Sequence, residues 1–252
     1  MSGKYWDQGL TVAEGCLHGC EVQDKCWERR MHERLKKMPF LGEVMFNPHL
    51  LGHPMKRKKP TVYHLWSDIF DLRDDNQAKI LEMIDSCKQH KFLTLTKQPE
   101  NIGMLCLFPI HNLYVGVSVT DQRTADERIP ALLNSLWKGK KWVNIEPMMG
   151  AVDLARWLGC EVSGFQRGYH PSGQYEEQEV FGYQPPESGE VGIDQVVLGS
   201  QTGAGGKEMN SDWARSVRDQ CEAAGVPFFL KQMNGGRLLD GRDHSNLIWR
   251  TP

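Results

Sequence analysis

Six short runs of β-branched and aromatic residues, most of them separated by helical stretches, constrain the fold of this chain more than anything else in it. They lie at residues 61–66, 92–96, 113–118, 141–145, 195–198 and 227–230, and each reads as a strand. Between them, residues 74–90 carry Ile80, Leu81, Ile84 and Cys87 at helical spacing. Residues 121–136 carry Ala125, Ile129, Leu132, Leu133 and Leu136 in the same way, and residues 211–224 open on a cap residue and stop at Gly225. Strand, helix, strand, helix implies parallel pairing through crossovers. A further strand near residues 10–13 and a helix over 27–37 bring the count to about seven β/α units. That many uniform units favours a partial (β/α) barrel of about six to seven parallel strands over a doubly wound sheet.

The chain has 252 residues, 40% hydrophobic and 25% charged, which fills a core and excludes disordered, collagen-like and fibrous classes. A single barrel domain over 1–252 is the expectation. One stretch breaks the pattern: residues 159–192 hold seven Gly and three Pro, an insertion or a lid over the barrel mouth. No apolar run approaches the ~18 residues that cross a bilayer, and the first residues lack a signal peptide's apolar core, so a cytoplasmic protein without a membrane partner is expected.

The formal charge of −2 carries no global mark of nucleic-acid binding. Charge is nonetheless uneven, with nine Lys/Arg against three Asp/Glu over residues 28–59, ending in Lys56-Arg57-Lys58-Lys59. Such a run is a solvated face or a phosphate contact.

In barrels of this kind working residues stand at the carboxyl ends of strands. Those positions hold Ser67 and Asp68, Lys97, Ser118 and Thr120, Glu146, Ser200 and Gln201, and Lys231 and Gln232. Lys97 and Lys231 are the candidate catalytic residues, and Gln201 with Lys56, Arg57, Lys58 and Lys59 the candidate substrate contacts; the alternative for the strand-end residues is a solvent-exposed polar end or a rim salt bridge.

Three of the seven cysteines, Cys16, Cys20 and Cys26, fall within eleven residues between the first strand and the first helix. Three thiolates on one loop, 15–27, select an iron–sulfur cluster or zinc. A four-iron cube held by three Cys leaves one iron open to a small molecule, the arrangement radical S-adenosylmethionine chemistry needs. Two alternatives stay: zinc, with His18 or His32 closing a Cys3His nucleic-acid-binding module, and three unligated thiols. Other nucleotide and hydrolase motifs are absent: Gly206-Lys207 lacks the P-loop's flanking residues, and there is neither His-Glu-x-x-His nor Gly-x-Ser-x-Gly.

Several stretches carry a resemblance: residues 26–31, 67–70, 95–100, 115–119 with 125–130, 144–147, and 212–213 through 224–232. In this order they resemble a phage-encoded family with a radical-SAM-like barrel, distantly similar to spore photoproduct lyase. The match departs where Cys20 sits in a longer loop and where Gly199-Ser200-Gln201 replaces a pair of glycines and a Glu. The resemblance implies a [4Fe-4S] cluster on Cys16, Cys20 and Cys26, and S-adenosyl-L-methionine held near Trp27, Ser67, Asp68, Ser118 and Glu146. It further implies a host flavodoxin or ferredoxin as reductant, the cytoplasm of an infected bacterium as location, and phage DNA or its modified nucleotide as partner. The implied reaction is isomerisation of an amino-acid-modified thymidine base. A small metabolite is the alternative substrate.

Overall fold

A computed structural model describes residues 4–17, 19–36, 42–103, 110–158, 167–169, 175–177, 192–202 and 206–250. In chain order the main elements begin with β1 (Gln8–Leu10), β2 (Ala13–Cys16), α1 (Trp27–Lys36), β3 (Glu43–Phe46), α2 (Gly52–Lys56) and β4 (Val62–Leu65). There follow α3 (Asp74–Ser86), β5 (Lys91–Thr96), β6 (Leu113–Val119), α4 (Gln122–Leu133), β7 (Lys140–Ile145), β8 (Arg167–Tyr169) and β9 (Tyr175–Glu177). The chain closes with β10 (Gln195–Gly199), α5 (Ser211–Ala223), β11 (Phe228–Gln232), β12 (Leu238–Leu239) and β13 (Arg242–Asp243).

Seven strands form one sheet in the order β1-β4-β5-β6-β7-β10-β11, and every neighbouring pair is parallel. Because the order never reverses, all crossovers wind the same way and the sheet must curl. The curl is measurable. β4 and β11 stand five strands apart, about 24 Å in a flat sheet at ~4.8 Å per strand. Yet His64 of β4 and Phe229 of β11 both meet the Tyr5 ring, with centroids 5.7 and 6.2 Å away. The sheet is thus a half-barrel, open between β1 and β11, and the expected fold class holds.

The convex face packs on the helices, as the 3.6-residue spacing requires. Ile80, Leu81 and Ile84 of α3, Ala125, Ile129 and Leu132 of α4, and Ala214, Val217 and Cys221 of α5 are buried in one cluster with Phe92, Val115, Val143, Val196 and Leu230 of the strands. α4 opens on a capping box between Asp121 and Thr124. α3 stops at Ser86 instead of running to 90, because Asn112 Nδ2 donates to the carbonyls of Ile84 and Cys87 and closes the helix end.

Alternate residues of the same strands face inward. Val62, Leu93, Tyr114, Trp142, Val197 and Phe229 join Tyr5, Leu247 and Trp249 in a second core. Both ends of the described chain therefore lie inside the curl, where Trp249 Nε1 donates to the Tyr5 carbonyl at 2.7 Å. Gly116 makes room for this floor: a Cβ there would lie 2.6 Å from the Trp142 indole.

The expected first strand moves as well. The first strand of the sheet is Gln8–Leu10, and Ala13 instead starts β2, which pairs antiparallel with β3 outside the main sheet. Of the stretch 159–192, β8 and β9 form an antiparallel pair; the rest of that expected insertion or lid, apart from Gly192, lies outside the described residues, as do Cys106 and Cys160.

Candidate functional site

Going up the concave face toward the carboxyl edge, the side chains change character. Below are the aromatic rings of the floor. Above them, register places Ser118 of β6 beside Asn144 of β7 and Asn144 beside Val197 of β10, with Glu146 two residues further along. Lys231 Nζ meets Glu146 Oε1 at 2.5 Å and stands 5.8 Å from the Tyr5 ring centre. Two local features aim this pair. Between β10 and β11 the register shifts, Leu198 facing Leu230 and Gly199 facing Gln232, so Lys231 is the extra residue of a bulge. Gly199 leaves space for the carboxylate, since a Cβ there would lie 3.3 Å from Glu146 Cδ. Below the pair, burial and then the Lys231 charge push the His64 imidazole down to about 3, so it is neutral at ordinary pH.

The cysteine loop docks on the rim of this face through two polar ties. Glu21, between Cys20 and Cys26, receives both arms of Arg128 from α4 at 3.0 and 2.9 Å, and the same guanidinium donates to the Ser118 carbonyl at 2.7 Å. The two side chains are only 11% and 16% exposed. Burial alone raises the Glu21 carboxyl, but the Arg128 hydrogen bonds and charge, with that of Lys97, bring it below its ordinary value. Glu28, in the first turn of α1, accepts from Ser67 Oγ at 2.6 Å; burial is the main reason its carboxyl sits above the usual range. Ser67 holds this bond from φ 59°, a left-handed backbone that costs a non-glycine residue of order 1 kcal/mol.

Asp68 and Lys97 complete the rim. Asp68 caps a 3-10 turn by accepting from the Phe70 N–H at 3.0 Å and from Thr96 Oγ1 at 2.5 Å. Burial raises its carboxyl to about 7, with Asp71 adding and the Thr96 and Phe70 bonds opposing. Lys97 reaches Glu21, Glu28 and Asp68 electrostatically. It has no ion-pair partner within 4 Å among the described residues.

Cys16, Cys20 and Cys26 are half-buried thiols, none in a disulfide. Gly15, at φ 108°, turns the chain into the loop where a side chain would strain it. Cys26 immediately precedes α1 and its Sγ accepts the Arg29 N–H at 3.5 Å, a donor that suits a sulfur carrying negative charge. The donor chemistry therefore fits an iron–sulfur cluster. Among the described residues, however, no three His, Cys, Asp or Glu side chains lie close enough to share one metal ion, so donor chemistry alone carries the ligand set. His18 lies outside the described residues; His32 is buried 3.6 Å from Glu14.

A family model described as "Protein of unknown function (DUF5131)" matches residues 3–246. The chain belongs to that family. No curated protein matches it. A solved spore photoproduct lyase double mutant with bound AdoMet and dinucleoside spore photoproduct is similar at 13% identity and a TM-score of 0.44, over 84% of this chain and 60% of that one. This DUF5131 chain thus spans about three fifths of the lyase's length, and at that distance no site residue is carried across.

The remaining expected residues of the DUF5131 chain are dispersed. Gln201 lines a cavity of about 320 Å³ with Ser200, Lys207, Gln232 and Asn234, and its Oε1 accepts the Lys207 N–H at 3.0 Å. Trp27 begins α1. Lys56, Arg57, Lys58 and Lys59 are exposed but precede β4, so they stand at the amino edge, opposite the cysteine loop. Arg57 Nε is spent on Thr61 Oγ1 at 2.7 Å. Motif reading missed Glu21, Arg128, Asn144 and His64. Only the strand-alternation rule, applied two residues back from Glu146 and Trp66, points to the last two.

Proposed function

We propose that this chain is a radical S-adenosylmethionine enzyme, with a [4Fe-4S] cluster on Cys16, Cys20 and Cys26, that rearranges a modified thymidine base of DNA. One observation carries the reading: a loop with three reduced thiols is tied by Glu21–Arg128 and Glu28–Ser67 to the carboxyl rim of an open parallel half-barrel whose upper concave face is polar. When bound, cluster and S-adenosylmethionine supply a carbon-centred radical able to abstract a hydrogen atom.

The chain's own residues do the holding. Lys97, a half-buried cation without an ion-pair partner among the described residues, offers charge to a carboxylate group. Ser118 offers a hydroxyl, and Glu146, steadied by Lys231, offers an acceptor for ribose or base donors. Asp68 and Ser67 shape the rim through the bonds they already make, with Trp27 on the adjoining helix. The aromatic floor excludes water beneath the reacting groups. An isomerisation is redox-neutral, so the site needs no second oxidant.

A base must leave its duplex to enter such a mouth. Lys56, Arg57, Lys58 and Lys59, at the far edge, fit the phosphates of an extended nucleic acid passing round the barrel, whereas a single nucleotide in the mouth does not reach them.

Anaerobic reconstitution followed by iron and sulfide analysis tests the cluster. The parent should hold about four irons, and Cys16→Ala, Cys20→Ala and Cys26→Ala should each lose most of them while melting like the parent. Stoichiometric zinc with no iron uptake would favour the zinc module instead.

A further inference from the structure

Asn144 has no role in the fold that the hydrogen bonds reveal. It is 5% exposed and lies on the concave face, two residues above Trp142 and two below Glu146. Its Oδ1 is buried without a hydrogen-bond partner, and the side chain makes no hydrogen bond among the described residues. A buried acceptor left without a partner destabilises the fold, and Asn is a poor strand former besides. Asn112, whose Oδ1 is also unpaired, differs because its amide nitrogen closes α3. Thr94 Oγ1 is unpaired too, but it shares the convex parity of Phe92. His64 Nε2 on the concave face is unpaired as well, but its ring lies lower down, against the Tyr5 and Trp142 rings of the floor; above that floor, among the described residues, the idle group is the Asn144 amide.

We infer that Asn144 Oδ1 accepts an N–H from a bound ligand, and that this N–H belongs to a neutral conjugated ring: an aromatic amine such as that of adenine, or a ring imide such as that of thymine. Neutrality follows from the neighbours. Ser118 and Val197 flank Asn144 in register and carry no charge. Glu146 already has Lys231 as its counter-charge at 2.5 Å, so an ammonium group here would be desolvated without a partner. The inference rests on the reading of this face as the ligand site, and it adds a residue that sets which ligand fits.

The test pairs melting with calorimetric binding, on the parent and on Asn144→Leu, with Asn144→Val as a second variant in case the first misfolds. The probes are 5′-deoxyadenosine with its N6,N6-dimethyl form, and thymidine with 3-methylthymidine. The variants should melt at or above the parent, because an unpaired buried acceptor has gone. The parent should prefer the N–H form in one series by about tenfold, equivalent to ~1.4 kcal/mol, and the variants should lose that preference. The series showing it identifies the source, cofactor adenine or substrate imide.

Lower melting with unchanged binding would mean that Oδ1 holds a structural water, and would overturn the inference. So would a parent that binds the methylated forms equally well, or one that binds neither series. Iron content and S-adenosylmethionine cleavage, measured on the same samples, judge the radical reading separately.

Discussion

Asp68 links local geometry to a measurable pH response. Its carboxyl, raised to about 7 by burial, has a folded value above its unfolded one. It therefore contributes stability that is complete in acid below the ordinary carboxylate range and is lost as pH rises through about 7. Asp68→Asn keeps an acceptor for the Phe70 N–H, so the fall in melting temperature between about pH 4 and pH 7.5 should flatten. An equal slope in parent and variant would contradict this. Gly116 makes a second test: the Cβ of Gly116→Ala would lie 2.6 Å from Trp142, and such overpacking should cost about 1–3 kcal/mol in denaturant unfolding. Residues such as Ser67, Asp68, Glu146 and Lys231 were legible in the sequence because each lies within two residues of the end of a β-rich run. Arg128 was not, because it sits mid-helix among ordinary surface charges, and its partner Glu21 is 107 residues away.

Among the elements, α4 does more than cover the sheet. Its capping box fixes the first turn, Ala125 and Ile129 anchor its buried side, and Arg128 carries that rigidity to the cysteine loop. Arg128→Gln should release the loop: alkylation of Cys20 and Cys26 should speed up several-fold, buried Cys87 and Cys221 serving as internal controls. Stability should fall by about 1.5–3 kcal/mol, as for a hydrogen bond to a charged group. Unchanged alkylation would show that the loop is held by other contacts. Strand and helix positions were readable because burial on both faces leaves near-continuous Val, Ile and Leu runs. β2 and β3 were not, since Glu14, Gly15 and Cys16 break any alternation and the pairing partner lies about 30 residues on. The 3-10 turn over Ile69–Asp71 was likewise beyond reach, being set by the single cap Asp68.

At the scale of the whole molecule, the half-barrel separates two faces by the length of its strands. The polar concave rim and the cysteine loop stand at the carboxyl edge, and Lys56 to Lys59 at the amino edge. Neutralising those four together should weaken turnover of polymeric DNA and flatten its salt dependence, while leaving turnover of a free modified nucleoside unchanged. Equal loss on both would place the run in the site itself. Charge asymmetry in the sequence revealed that run, but which edge it occupies depends on its place before β4 in the folded sheet. Radical chemistry at the tied cysteine loop is read out by anaerobic incubation of reconstituted, dithionite-reduced protein with S-adenosylmethionine, with products separated by chromatography. The parent should yield 5′-deoxyadenosine and methionine, and Cys26→Ala neither above background. Intact S-adenosylmethionine with an iron-loaded parent, or equal cleavage by parent and variant, would contradict it.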